Sequence, residues 1–116
     1  VRQAVRTRGA RIELVNTLLD SGHAWERGMG RIWILRTKAY KSSTTSRQRD
    51  IDAIMINGEN SDRWAIYEGI LEANRIGRGA LSDIGKIFFE ARIPHLKPGQ
   101  KNEAAGGEQA IASASN

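Results

Sequence analysis

The chain has 116 residues and no cysteine, so disulfides and thiolate metal sites are excluded, and the length suits one domain with a core of its own. Its net charge of +5 is unevenly placed: residues 1–49 hold 11 Lys/Arg against 3 Asp/Glu, whereas residues 50–116 hold 7 against 10. No long uninterrupted apolar run occurs, and the arginines between Val1 and Ser21 leave neither a membrane span nor a secretory signal in that stretch.

Val1 to Leu19 reads as a helix, with Ile12, Val15 and Leu19 on one stripe, Leu14 and Leu18 beside it, and Asp20-Ser21-Gly22 as its end. Its first half carries Arg2, Arg6, Arg8 and Arg11 with Val5 as the one sizeable apolar residue. Guanidiniums spread over about 15 Å of helix suit several phosphates of one groove, and a fraying terminus is the plain alternative. Gly22 to Gly30 is a glycine-rich connection anchored by Trp25 and Met29. The Gly28-Met29-Gly30 run has neither the Gly-Lys-Ser/Thr ending of a phosphate loop nor a full dinucleotide fingerprint, and His23 and His95 stand alone, so no metal or cofactor is expected.

In Arg31 to Lys41 the run Ile32-Trp33-Ile34-Leu35 suits a strand, while Ile32, Leu35 and Ala39 also share a helical face. Helix is the preferred reading, since a lone strand has nothing to pair with. Either way Arg31, Arg36, Lys38 and Lys41 project from an aromatic-containing segment, a pattern that binds nucleic-acid backbones when the rings are free to stack and forms core when they are not. Ser42 to Ser46 reads as a polar linker whose last residue caps a helix from Arg47 to Ile56, closed by Asn57-Gly58. Arg47 and Arg49 lie in its first turn, opposing the helix dipole, and so call for an external anion or for Asp50 and Asp52 as neighbours.

Ser61 is a good N-cap for a helix with Trp64, Tyr67 and Leu71 at helical spacing, stopped by Gly77 and Gly79. A second helix from Ala80 carries Leu81, Ile84, Phe88 and Ala91 and is closed by Pro94, so the two form an αα-hairpin. Asp62, Glu68, Glu72, Asp83 and Glu90 have the spacing of a solvated helix surface, and no catalytic constellation accompanies them. The final stretch, Gln100 to Asn116, is small and polar and reads as disordered or extended. The expected fold is all-α: a helical core over 46–95, a basic nucleic-acid-binding arm over 1–45, and a tail over 96–116.

The blocks Ala65-Ile66-Tyr67-Glu68-Gly69 and Asn74-Arg75-Ile76-Gly77-Arg78-Gly79-Ala80-Leu81 resemble motifs of the major capsid proteins of archaeal filamentous and rod-shaped viruses. The resemblance covers about a fifth of the chain. It implies an all-helical virion subunit repeated along a filament with other capsid subunits, its N-terminal helices around double-stranded DNA. Arg2, Arg6, Arg8, Arg11, Arg31, Arg36, Lys38 and Lys41 would then be phosphate contacts, with Arg47 and Arg49 beside them. From the residues alone, charge asymmetry favours a structural nucleoprotein on DNA or RNA. A sequence-specific helix-turn-helix regulator, argued from Ala80-Leu81-Ser82-Asp83-Ile84-Gly85, and a protein-binding adaptor are the alternatives.

Overall fold

A computed structural model describes residues 1–103 and, for the backbone, 109–111. Four helices dominate: α1 (Arg2–Asp20), α2 (Lys38–Ser43), α3 (Ser46–Ala73) and α4 (Leu81–Arg92). Four three-residue strands accompany them, β1 (Ala24–Glu26), β2 (Ile32–Ile34), β3 (Lys101–Glu103) and β4 (Gln109–Ile111), in the order β2-β1-β3-β4. The all-α expectation is therefore corrected to a mostly helical protein with a small mixed sheet.

The helical reading of 31–41 fails for a local reason. Gly28, Met29 and Gly30 make a three-residue hairpin loop, with Arg27 N–H on Arg31 C=O at 2.7 Å and Gly30 N–H on Arg27 C=O at 2.9 Å. Gly30 takes φ 77°, the left-handed conformation that such a loop requires. The loop folds Ile32–Ile34 back onto Ala24–Glu26, antiparallel with Trp25 opposite Trp33, and so supplies the partner that a lone strand lacks. β3 then adds to β1 in parallel, and β4 pairs with β3. Part of the expected tail is thus strand, and residues 104–108 and 112–116 lie outside the described residues. A helix does form after the hairpin, but only over Lys38–Ser43, capped by the Thr37 hydroxyl.

α3 is one helix of 28 residues where two were expected. Its inward stripe is Asp52, Ile56, Glu59, Arg63, Tyr67 and Leu71, all buried. Half of that stripe is polar, which hides the helical period and makes Asn57-Gly58 look like a stop. The Gly58 backbone lies beneath the Arg11 side chain, where an added Cβ would sit 3.1 Å from a guanidinium nitrogen, so tertiary contact carries the helix through. Ser61 accordingly sits exposed in mid-helix, and Thr45 rather than Ser46 caps the start, accepting from Gln48 N–H at 3.1 Å.

α1 and α3 run antiparallel: Val1 meets Gly69, Arg8 and Arg11 meet Glu59, and Val15, Leu18 and Leu19 share a core cluster with Ile56, Ala24 and Ile32. The first 45 residues therefore contribute to the same core as α3. Ile12 and Leu14, expected on or beside the inward stripe, are exposed. α4 packs on α3 with the Tyr67 and Phe88 ring centroids 4.7 Å apart. Gly85 of α4 receives the tip of the β1–β2 hairpin so closely that a Cβ there would collide with the Met29 carbonyl.

Candidate nucleic-acid interface

The sequence-predicted basic residues divide into four places. Arg2 and Arg6 are exposed near the start of α1. That end lies beside Gly69, about 33 Å along α3 from Arg47 by helical rise. Arg8 and Arg11 turn inward. Arg8 Nε donates to Glu59 Oε2 at 2.9 Å, and Arg11 Nη1 donates to Asp62 Oδ2 at 2.8 Å and Glu59 Oε1 at 3.2 Å. Their charge serves the α1–α3 contact. Asp62, expected to be merely solvated, is one of its acceptors.

Behind them lies a buried network that the sequence reading passed over. Arg63 reaches Glu26 with two parallel bonds of 2.7 and 2.8 Å and Glu59 with a third of 2.7 Å. Glu26 and Arg63 are both 3% exposed at their side chains, so hydrogen bonding must offset their lost hydration. Desolvation alone would raise the Glu59 carboxyl, but Arg63 and Arg8 overcome it and hold Glu59 below the ordinary carboxylate range. For Arg63 desolvation acts downward and Glu26 and Glu59 prevail, keeping it firmly protonated. Glu59 and Arg63 stand four residues apart, a helical pair visible in the sequence, but nothing local pointed to Glu26 across the fold.

The third place is a corner built by the β2–α2 connection, α2 and the first turn of α3. Arg36, Lys38, Lys41 and Arg47 are exposed there, and none has a side-chain hydrogen bond or ion pair among the described residues. Arg49, from the same turn, is used internally: Nη1 donates to the carbonyls of Lys41 at 3.0 Å and Thr44 at 2.7 Å, closing the end of α2. Asp52 accepts from the Tyr40 hydroxyl at 2.8 Å and from Gln48 Nε2 at 2.9 Å rather than from an arginine. Burial, followed by this bond, pushes the Tyr40 phenol up to about 12. Asp52 is thus committed to Tyr40 and Gln48, while Asp50, three residues after Arg47, is exposed and forms no ion pair among the described residues.

Arg31 makes the fourth place. Its Cζ lies 4.3 Å from the Trp64 ring centroid, and its Nε is buried with no hydrogen-bond partner. An unpaired buried donor costs about 1–3 kcal/mol, and a cation–π contact returns about 0.5–2 kcal/mol, so the arrangement gains little by itself. On the same face of the sheet Arg27 lies over Trp25 and Trp33, at 4.8 and 4.3 Å, and pairs with Glu103 at 3.0 Å. The Gly28 N–H and then Arg27 hold Glu103 below the ordinary carboxylate range.

Among the described residues no group of His, Asp and Glu is placed to hold a metal ion, and no helix is long and apolar enough to cross a membrane. No protein-family model, curated protein or solved structure matches the chain.

Proposed function

We propose that this protein binds double-stranded DNA through its phosphates, without reading base sequence, and coats it as one subunit among many. The observation that carries the reading is the corner of Arg36, Lys38, Lys41 and Arg47, which have no anionic partner among the described residues while the more central arginines Arg8, Arg11 and Arg63 are paired. Phosphates satisfy such cations without base contacts. A handful of phosphate contacts gives only weak non-specific binding at physiological salt, about 10⁻⁴ to 10⁻⁶ M. Stable occupancy then calls for neighbouring subunits, in keeping with the capsid-like blocks around Tyr67 and Gly77. Within the described residues only a three-residue 3-10 turn, Ile93–His95, follows α4, where a helix-turn-helix beginning at Ala80 would place its recognition helix, and this favours backbone binding over site-specific regulation.

The test is binding to a long random-sequence duplex as a function of salt, with electron microscopy and nuclease digestion of the same samples. Continuous nuclease-resistant coats that dissolve with salt are expected. Replacing Lys38 and Lys41 together by Gln should flatten the log–log salt dependence by nearly two units, about 0.9 for each phosphate contact removed. A slope that does not move, or tight preference for one sequence, would overturn the reading.

A further inference from the structure

Arg31 differs from the other part-buried arginines. Arg8, Arg11, Arg27 and Arg92 each approach a carboxylate and Arg49 meets carbonyls, whereas the Arg31 guanidinium has neither hydrogen bond nor ion pair among the described residues. It is fixed by stacking on Trp64 alone. A preoriented cation without an internal anion has its remaining N–H groups available to a ligand.

Arg31 also stands where two surface depressions meet. One, of about 320 Å³, lies between β2 and α3 and is bordered by Trp33, Arg36 and Asn57. The other, of about 510 Å³, continues along α3 past Ser61 and Trp64 and shares Arg31, Asn57 and Asn60 with the first. Trp33 is 48% exposed as a residue, with the Arg27 guanidinium carbon 4.3 Å from its ring centroid. Asn60 closes the β2 edge, accepting from Ile32 N–H and donating to Ile32 C=O, both at 2.8 Å, so an extended peptide cannot add a strand at that residue. At the far end Glu68 pairs with Arg78 at 3.1 Å.

We propose that this groove is a binding site for an unpaired nucleotide of a single-stranded nucleic acid. The phosphate sits on Arg31 and Arg36, the base stacks against Trp33, and the strand runs on along Asn57 and Ser61 towards Trp64. Cation and exposed indole in one polar groove fit a ligand with a charged group and a flat ring, and an acidic peptide supplies only the first. The site is distinct from the duplex contact, because Lys38, Lys41 and Arg47 do not border it; Arg36 is the residue the two share.

Indole fluorescence tests this, using a single-stranded thymidine 12-mer, a 12-base-pair duplex, inorganic phosphate and a poly-glutamate peptide as separate probes. The thymidine 12-mer should quench the emission at concentrations where phosphate and poly-glutamate do not. Arg31→Gln should weaken its binding by tenfold or more, and Trp33→Leu by at least fivefold. Lys41→Gln, which lies outside the groove, should leave it within twofold, so that loss of duplex coating and loss of this site are told apart. Circular dichroism checks that Arg31→Gln is folded; if it is not, Arg31→Lys, which keeps the charge without the flat guanidinium, should still weaken binding at least threefold. Undiminished binding by a folded Arg31 variant, equal quenching by the duplex, or equal competition by poly-glutamate or phosphate would overturn the proposal.

Discussion

Two arginine-rich regions of this molecule sit within a few turns of one another on α3 and behave in opposite ways. Around Arg63, Arg31 on Trp64 apart, the guanidiniums are matched: Glu26, Glu59 and Asp62 face Arg63, Arg8 and Arg11, with Arg92 at 3.9 Å from Glu26 and 3.2 Å from the Gly30 carbonyl. Around Arg47 the exposed cations have no acidic partners among the described residues. The difference is one of solvent. A charge taken out of water must be met inside the fold, whereas a charge left in water costs the fold little and stays free for a partner. The same residue type therefore organises the interior in the middle of α3 and is left in solvent at its start.

The sharpest way to break this contrast is Arg63→Met. It leaves buried Glu26 with only Arg92 at 3.9 Å, while Glu59 keeps Arg8 and Arg11, and should cost about 3–5 kcal/mol, read as a fall in urea midpoint, because a buried ion pair that loses one partner leaves an uncompensated charge. Arg47→Gln in the corner should stay within about 0.5 kcal/mol of the unmodified protein in the same measurement. A comparable loss from both would mean that the corner is structural after all.

pH sharpens the comparison more gently. Glu59 is held below its ordinary value of 4.5, so its stabilising contribution is complete above that pH and is lost as pH falls through the lower folded value. Tyr40 moves the other way, from 10.0 to about 12. Its contribution is complete below about pH 10 and is lost as pH climbs towards 12. Denaturant midpoints across pH should fall at both extremes, and Tyr40→Phe should remove the Tyr40-dependent part of the alkaline fall.

The smallest effect concerns how α3 ends. Ile76 N–H bonds Leu71 C=O at 2.9 Å and Arg75 N–H bonds Glu72 C=O at 3.1 Å, leaving Arg75 at φ 55°. The equivalent position after α1 is Gly22, at φ 77°. Arg75→Gly should therefore raise stability by up to about 1 kcal/mol, since glycine occupies the left-handed region without the side-chain clash. A thermal midpoint that falls would point to a contact made by the Arg75 side chain.

Much of the helical frame was legible. The end of α1 at Ser21-Gly22, the Tyr67 and Leu71 stripe and α4, which gives way after Arg92 to a 3-10 turn holding Pro94, follow from apolar spacing and from glycine or proline near helix ends. Legibility failed where the buried side chains are polar. Asp52, Glu59 and Arg63 break the apolar period of α3, so a continuous helix read as two, and Arg8 and Arg11 read as an open basic face because their acceptors lie some fifty residues further along the chain. The site was half visible: Arg31, Arg36, Lys38, Lys41 and Arg47 were singled out as cations, but whether each had an internal partner could not be read from spacing.

Sequence by itself thus determined where helices begin and end when glycine, proline or a capping hydroxyl marks the boundary, and on which side of the chain the positive charge accumulates, because both depend on neighbours within a few residues. Tertiary structure alone decided that Ile32–Ile34 is a strand, that α3 passes through Asn57-Gly58 unbroken, and which arginines are neutralised. Each of those outcomes depends on groups far apart in the chain, β1 for the strand, Arg11 for the glycine, and Glu26, Glu59 and Asp62 for the arginines, and a pairing energy exists only once the fold has brought its partners within a few ångströms.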